Sequence, residues 1–298
     1  MIHDRQFSSQ NWENGDWVQL NVGLVRHQEE ALPSARALFA RLEPLVTDWR
    51  SNDLLRCFFF MRKPPDVRVR FFTRVDRQQA IAQISELMYI LERENFINLF
   101  FFSDYEPESD RFGGLEAMKF VHQHFDADTS IWLILDYLDR HKLSVIPKDL
   151  LLSTVLHDLF SCALSDRVSI LAAWQSLRAL IPTPPEATIP TVELLSLKTL
   201  SESRTLAGQE ADVLQKYATA NDMLAKELVN LQHLGQLTQD LADILAAVAM
   251  FNFHRHGFDW HRSGKLIEAI IRILEQKDEI RTSPFKVCDF AAFSGLES

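Results

Sequence analysis

The chain is short of cysteine, glycine and basic charge, and each shortage removes a class of protein. Its 298 residues hold three cysteines, Cys57, Cys162 and Cys288. Odd in number and far apart, they supply neither a disulfide framework nor a CxxC metal knuckle, and they read as reduced thiols. Nine glycines form no phosphate cradle, because the one adjacent pair, Gly113-Gly114, has the spacing of neither a dinucleotide fingerprint nor a P-loop. Apolar runs such as residues 57–61 and 97–102 are far too short to cross a bilayer. Met1 leads into polar residues rather than an apolar signal core, so a cytoplasmic protein without membrane contact is expected. Basic side chains number 31 against 41 acidic ones, for a formal charge of −10, which repels a nucleic-acid backbone and argues against direct nucleic-acid binding.

What is present is a globular composition. Apolar residues make up 47% and charged residues 24%, and a chain of this length buries roughly 75% of its unfolded surface. Against the acidic total, residues 56–77 hold seven basic side chains (Arg56, Arg62, Lys63, Arg68, Arg70, Arg74, Arg77) and two acids (Asp66, Asp76), a local sum of +5.

The first third alternates periods. Residues 17–25 set Gln19, Asn21 and Gly23 against Val18, Leu20, Val22 and Leu24, the pattern of a half-buried strand. Leu38, Leu42, Leu45, Val46 and Trp49 then recur at helical spacing, with Pro44 predicted to kink that helix or end it early. Residues 55–61 and 67–73 are strands joined by a turn at 63–66. Ile81, Ile84, Leu87, Met88 and Leu91 mark a helix, and residues 96–102 a final strand. Strand, helix, strand, strand, helix, strand is the ferredoxin-like split βαβ order, with the first and third strands central and both helices on one face. The third strand places Val67, Val69, Phe71 and Thr73 on one side and Arg68, Arg70, Phe72 and Arg74 on the other. Gln19 and Asn21 lie beside those arginines. Guanidiniums on central strands are costly to cover unless anions meet them, so this face predicts a partner.

From Arg111 onward the period is helical. Helices are expected at 128–140, 147–162 and 167–180, then at about 209–231, 238–255 and 263–276, the fifth of these central because residues 244–251 are apolar almost all round. The four prolines within 181–191 mark a linker or long loop. The expected class is therefore α+β: an α/β subdomain over residues 1–104 and a helical subdomain over 105–298, packed together as one unit with a polar cleft between sheet and helices.

Three constellations carry possible chemistry. Arg62, Arg68, Arg70 and Arg74 form a carboxylate pocket, since a guanidinium fork grips a carboxylate through two parallel donors; alternating arginines on a solvated strand give the same pattern. Residues 105–114 follow a strand and precede a helix, where loops hold sites or simply turn. His254 and His256 are suited to proton transfer at neutral pH or to ordinary capping, and being two residues apart they do not share a helix face. His122, His124, Asp126 and Asp128 read as a polar helix end rather than a metal site, and no metal or cofactor is expected.

Several of these segments resemble a known family in order along the chain: Trp17 in the first strand, Phe59-Phe60-Met61-Arg62, Pro65-Asp66-Val67-Arg68-Val69-Arg70-Phe71, Tyr105-Glu106-Pro107-Glu108 through Arg111-Phe112-Gly113-Gly114, and Phe125-Asp126-Ala127-Asp128-Thr129. Together they are similar to the C-terminal region of lantibiotic dehydratases, of the thiopeptide-type bacteriocin biosynthesis group. The resemblance implies a small stand-alone member that eliminates glutamate from O-glutamylated Ser or Thr to give dehydroamino acids. It also admits a pyridine-forming or macrocyclising enzyme, or a non-catalytic peptide-binding component of a dehydratase complex. By the same resemblance Arg68 and Arg70 bind substrate or leaving group, and Arg111 takes the arginine position before the glycine pair. His254, or alternatively His256, supplies proton transfer. Arg62, Arg74, Gln19, Asn21 and Tyr105 complete the expected binding set. A precursor peptide is the implied partner, with a separate glutamylating component and a homodimer as further possibilities. Two departures from the family pattern are Asp66, where a histidine is usual, and Gly257-Phe258-Asp259, where an Asn-Arg pair usually follows the histidines.

Overall fold

The computed structural model describes residues 15–144, 146–181, 189, 192, 194–203 and 208–276. The start of the chain, most of the proline-rich 181–191 segment and Cys288 lie outside the described residues. The order is β1 (Asp16–Leu24), α1 (Leu32–Ser51), β2 (Leu55–Lys63), β3 (Asp66–Thr73), α2 (Arg77–Arg93), β4 (Ile97–Ser103), a short 3-10 helix (Ser109–Phe112), then α3 (Leu115–Arg140), α4 (Lys148–Ala163), α5 (Arg167–Leu180), α6 (Leu197–Ser203), α7 (Gln209–His233), α8 (Leu241–Arg255) and α9 (Trp260–Gln276).

Local chemistry sets the boundaries. Asp76 accepts from the backbone N–H groups of Gln78 and Gln79 and so caps α2, and Asp166 caps α5 through Ser169 N. Pro147 stands immediately before α4. Pro44 does not end α1. It lies with Glu43 and Ala40 on the exposed face, where the carbonyl left without an N–H partner is not buried away from solvent. The largest departure is α3, which begins at Leu115 rather than near 128. The 122–128 segment is therefore mid-helix, and His122, His124, Asp126 and Asp128 are all buried.

The sheet has the order β2-β3-β1-β4, with every neighbouring pair antiparallel. β1 and β3 are central, and Gln19 pairs with Arg70 and Asn21 with Arg68 across them. One face (Val18, Leu20, Val22, Phe58, Phe60, Val67, Val69, Phe71) buries against Leu38, Leu42 and Trp49 of α1 and Ile84 and Met88 of α2. The other face contributes Cys57, Phe59, Met61 and Phe72 to a core with Val121 and Phe125 of α3 and Ile244, Val248 and Phe251 of α8. The protein is thus α+β, with one small sheet covered by two helices on one side and a bundle on the other. As its composition requires, residues 244–253 of α8 are all buried.

The outer edge of β2 is closed by side chains. Phe58 N donates to Asp126 Oδ1 at 2.9 Å, Phe60 N to Thr129 Oγ1 at 3.4 Å, and Phe60 O accepts from Arg255 Nε at 3.1 Å. An edge strand needs such partners to avoid pairing with another chain. Arg255 is wholly buried and forms an ion pair with Asp128, whose other oxygen is 3.0 Å from His256 Nε2 and accepts from the Tyr217 hydroxyl at 2.9 Å. Burial alone would push the Asp128 carboxyl up, yet Arg255 and then His256 hold it well below the usual carboxylate range. This network joins β2, α3, α7 and α8.

Candidate functional site

Most of the positive patch is already neutralised. Arg56 and Arg74 both pair with Asp53, Arg77 with Asp104, and Lys63 with Glu108 at 2.9 Å. Among the described residues, Arg62, Arg68 and Arg70 have no carboxylate within 4.0 Å.

Arg70 is the centre of what remains. Only 5% exposed, it donates from Nε to Gln19 Oε1 at 2.7 Å. Its guanidinium carbon lies 4.4 Å from the ring centroid of Tyr105 and 5.1 Å from that of Phe59. Gln19 Nε2 donates in turn to Ser103 Oγ at 2.7 Å, as does Asn21 Nδ2 at 2.9 Å. Burial lowers the Arg70 pKa to about 10, which still leaves it charged at neutral pH. A buried cation without a counter-ion is expensive, and here two aromatic faces and one amide are its observed support. Arg68, two residues along the same face, is half-buried and donates from Nε to Pro64 O at 3.0 Å.

Beside this pair lie Lys63, Glu108 and Arg111. Glu108 takes Lys63 on one oxygen and Arg111 on the other at 3.4 Å. Burial works against ionisation of Glu108, but its hydrogen bond to Lys63 and the positive charges of Lys63, Arg111 and Arg70 outweigh it and depress the pKa. Lys63 Nζ also stands 5.0 Å from the Phe251 ring centroid, tying the loop to α8. One turn later, His254 is half-buried against Trp260, with ring centroids 4.7 Å apart. Its pKa is lowered by burial and then by Lys63 and Arg255.

Not every expected residue joins. Arg62 shares its face with Phe58 and Phe60, opposite Arg70, because alternate strand residues point to opposite sides. Its Nε donates to Arg255 O at 3.2 Å and its guanidinium lies 5.8 Å from the Trp132 ring, so it caps the end of α8. Arg74 lies past the end of β3 and pairs with Asp53 at 3.1 Å. His256 is spent on Asp128 and Tyr217. Tyr105 directs its hydroxyl to His122 Nε2 at 2.8 Å and offers Arg70 only its ring. Asp66 does not block the arginines, for its carboxylate accepts from Leu24 N and pairs with Arg26, both at 2.8 Å.

The sequence presents Lys63 only as one of the basic run, Glu108 only as part of the 105–114 segment and His122 only as part of a polar helix end, and it offers no signal for Ser103. Alternation along β2 carries a signal for Lys63, since 57, 59, 61 and 63 share the bundle face. Nothing in the sequence alone pairs His122 with Tyr105. The Gly113-Gly114 pair serves packing: at Gly113, φ is +86° and a Cβ would sit 2.5 Å from Ile244 Cδ1, which seats the loop on α8. Among the described residues no group of three His, Cys, Asp or Glu side chains could hold a metal, and no helix is long and apolar enough to cross a membrane.

The fold, a small antiparallel sheet packed against a helical bundle, has counterparts among known proteins. The chain belongs to the family described as lantibiotic biosynthesis dehydratase C-term, whose model matches residues 17–269. The family's description places it in lantibiotic biosynthesis. Among solved structures it is similar to the tRNA-dependent lantibiotic dehydratase MibB from Microbispora sp. 107891, at 12% identity and TM-score 0.55, over 92% of this chain and 29% of that one. The chain therefore spans under a third of MibB's length. It is also similar to TsrL, at 14% identity and TM-score 0.48, over 89% of this chain and 96% of that one. No curated protein matches.

Proposed function

We propose that the protein eliminates glutamate from O-glutamylated Ser or Thr of a precursor peptide, leaving a dehydroamino acid. The carrying observation is Arg70: a guanidinium 5% exposed, stacked on two rings, with no carboxylate within 4.0 Å among the described residues. An arginine so placed suits a carboxylate-bearing ligand, and a glutamyl ester brings one. Arg68 adds a second positive group on the same face, and together they favour negative charge developing as the α-proton departs.

His254 is the proton acceptor in this reading. Burial and two neighbouring cations disfavour its protonated form, so the imidazole is neutral at pH 7 and has a lone pair free to take a proton. It takes the Cα proton, the C–H electron pair becomes the Cα=Cβ bond, and the Cβ–O bond breaks with glutamate leaving as a carboxylate. Arg111 and Lys63 hold Glu108 beside the arginines. The step consumes no cofactor. We read the strand order as a ferredoxin-like split βαβ sheet, and residues 1–104 and 105–298 as two parts of one catalytic unit. A separate component would supply the glutamylated precursor.

The test gives the purified protein a glutamylated peptide and follows free glutamate by mass spectrometry, alongside Arg68→Ala, Arg111→Ala and His254→Ala. Release by the native protein and at least about a tenfold loss in each variant, roughly 1.4 kcal/mol, is expected. Unchanged release in all three variants refutes the site. A product carrying a new ring and no released glutamate replaces elimination with the pyridine-forming reaction.

A further inference from the structure

His122 belongs to none of the steps above, yet it is among the most constrained side chains around Arg70. It is 4% exposed, sits two turns into α3, and its ring lies 4.7 Å from Trp17 and 5.6 Å from Phe59, centroid to centroid. Its Nε2 is 2.8 Å from the Tyr105 hydroxyl. Tyr105 is held edge-on to Trp17 at 4.8 Å and lies under the Arg70 guanidinium. A continuous chain of contacts thus runs from the inside of α3 through a phenol to the buried guanidinium of Arg70.

An arginine gives up much of its rotamer freedom when its long stem is fixed. A site that fixes it before the ligand arrives binds more tightly, because that cost no longer falls on binding. Here Gln19 fixes Nε and the Tyr105 and Phe59 rings fix the plane of the group, which leaves the two terminal nitrogens as a fork for a planar anion. The Tyr105 ring can support that plane only if it stays in place: Trp17 and Phe59 pack edge-on against it, and the hydroxyl contact to His122 anchors its far end against swinging away. The imidazole is suited to the place because burial and then the charge of Arg70 push its pKa down to about 3, so it remains an uncharged hydrogen-bond partner beside a cation.

We propose that His122 is a positioning residue of the carboxylate site, locking Tyr105 so that Tyr105 in turn orients the Arg70 fork toward the substrate carboxylate. This rests on the carboxylate-binding reading of Arg70, and two measurements separate them. The first needs no ligand. The Nε–H resonance of Arg70 in the full-length protein, identified by its disappearance in Arg70→Lys, is displaced from the free-arginine position by the two rings. His122→Gln, which keeps a neutral hydrogen-bond partner, retains the displacement. His122→Leu and Tyr105→Phe, the second removing a single oxygen from a site otherwise intact, lose at least about half of it, as a shared contact demands. An unchanged resonance in either of those two variants overturns the proposal.

The second measurement is calorimetric titration with L-glutamate. His122→Leu is expected to weaken binding about fivefold, His122→Gln to stay within about twofold of native, and His122→Leu to add nothing in an Arg70→Lys background, the non-additivity of residues acting in series. A further loss in that background overturns the proposal, since a residue acting through Arg70 has nothing left to act on. If the native protein and Arg70→Lys do not differ in glutamate binding, the carboxylate reading falls, and the resonance alone decides whether His122 positions Arg70.

Discussion

Removing the Asp128 charge tests the clamp between sheet and bundle most directly. Asp128→Asn leaves the side chain's shape and takes away the counter-ion of Arg255, which is 0% exposed and bonded besides to Phe60 O and Met61 Sδ. Breaking a buried pair by deleting one partner costs about 3–5 kcal/mol, because the surviving charge stays buried. With roughly 2–4 °C lost per kcal/mol in a protein of this size class, melting should fall by about 6–20 °C. The pH dependence follows from the depressed Asp128 pKa. A carboxylate whose folded pKa lies below its unfolded value of about 3.9 contributes its full stability above that value and loses it as the pH falls further. The gap between native protein and Asp128→Asn should therefore narrow progressively as the pH falls below about 4. Arg255→Met added to Asp128→Asn removes the stranded cation and should recover part of the loss. Thermal unfolding followed by circular dichroism measures all three proteins. A loss under about 1 kcal/mol in Asp128→Asn, or a double variant worse than the sum of the singles, refutes this account.

Arg70→Met should separate function from stability: glutamate release falls at least about tenfold while melting stays within about 1 kcal/mol of native or rises, because a buried cation without a carboxylate is replaced by an apolar side chain. Calorimetry and the release assay together check it. In the proposed reaction the neutral form of His254 is the active one; because its pKa is lowered, kcat/KM should hold its plateau down to the ordinary imidazole value of about 6.5 and decline only below it, and a decline centred above that value contradicts the assignment. Gly113→Ala meets both a positive φ and Ile244 at 2.5 Å, so chemical denaturation should show a loss of roughly 1–3 kcal/mol.

The hydrophobic periods by themselves determined a good deal. Alternation in residues 17–25 and 67–73 fixed which strand residues share a face, and therefore that Arg68 and Arg70 stand beside Gln19 and Asn21. The apolar girth of residues 244–251 made α8 central. These are properties of a backbone with period 2 or 3.6, and they need no knowledge of what packs on either side. Partner choice needs that knowledge. Arg62 and Arg70 look alike in the sequence, yet one caps a helix and the other stacks on Tyr105, because their strands present them to opposite faces. Asp128, read as part of a polar helix end, sits mid-helix and is matched by Arg255 127 residues away. His122 meets a phenol across a loop. Burial, counter-ions and the resulting pKa displacements arise only where distant segments are brought within a few ångströms, so they belong to the tertiary structure alone.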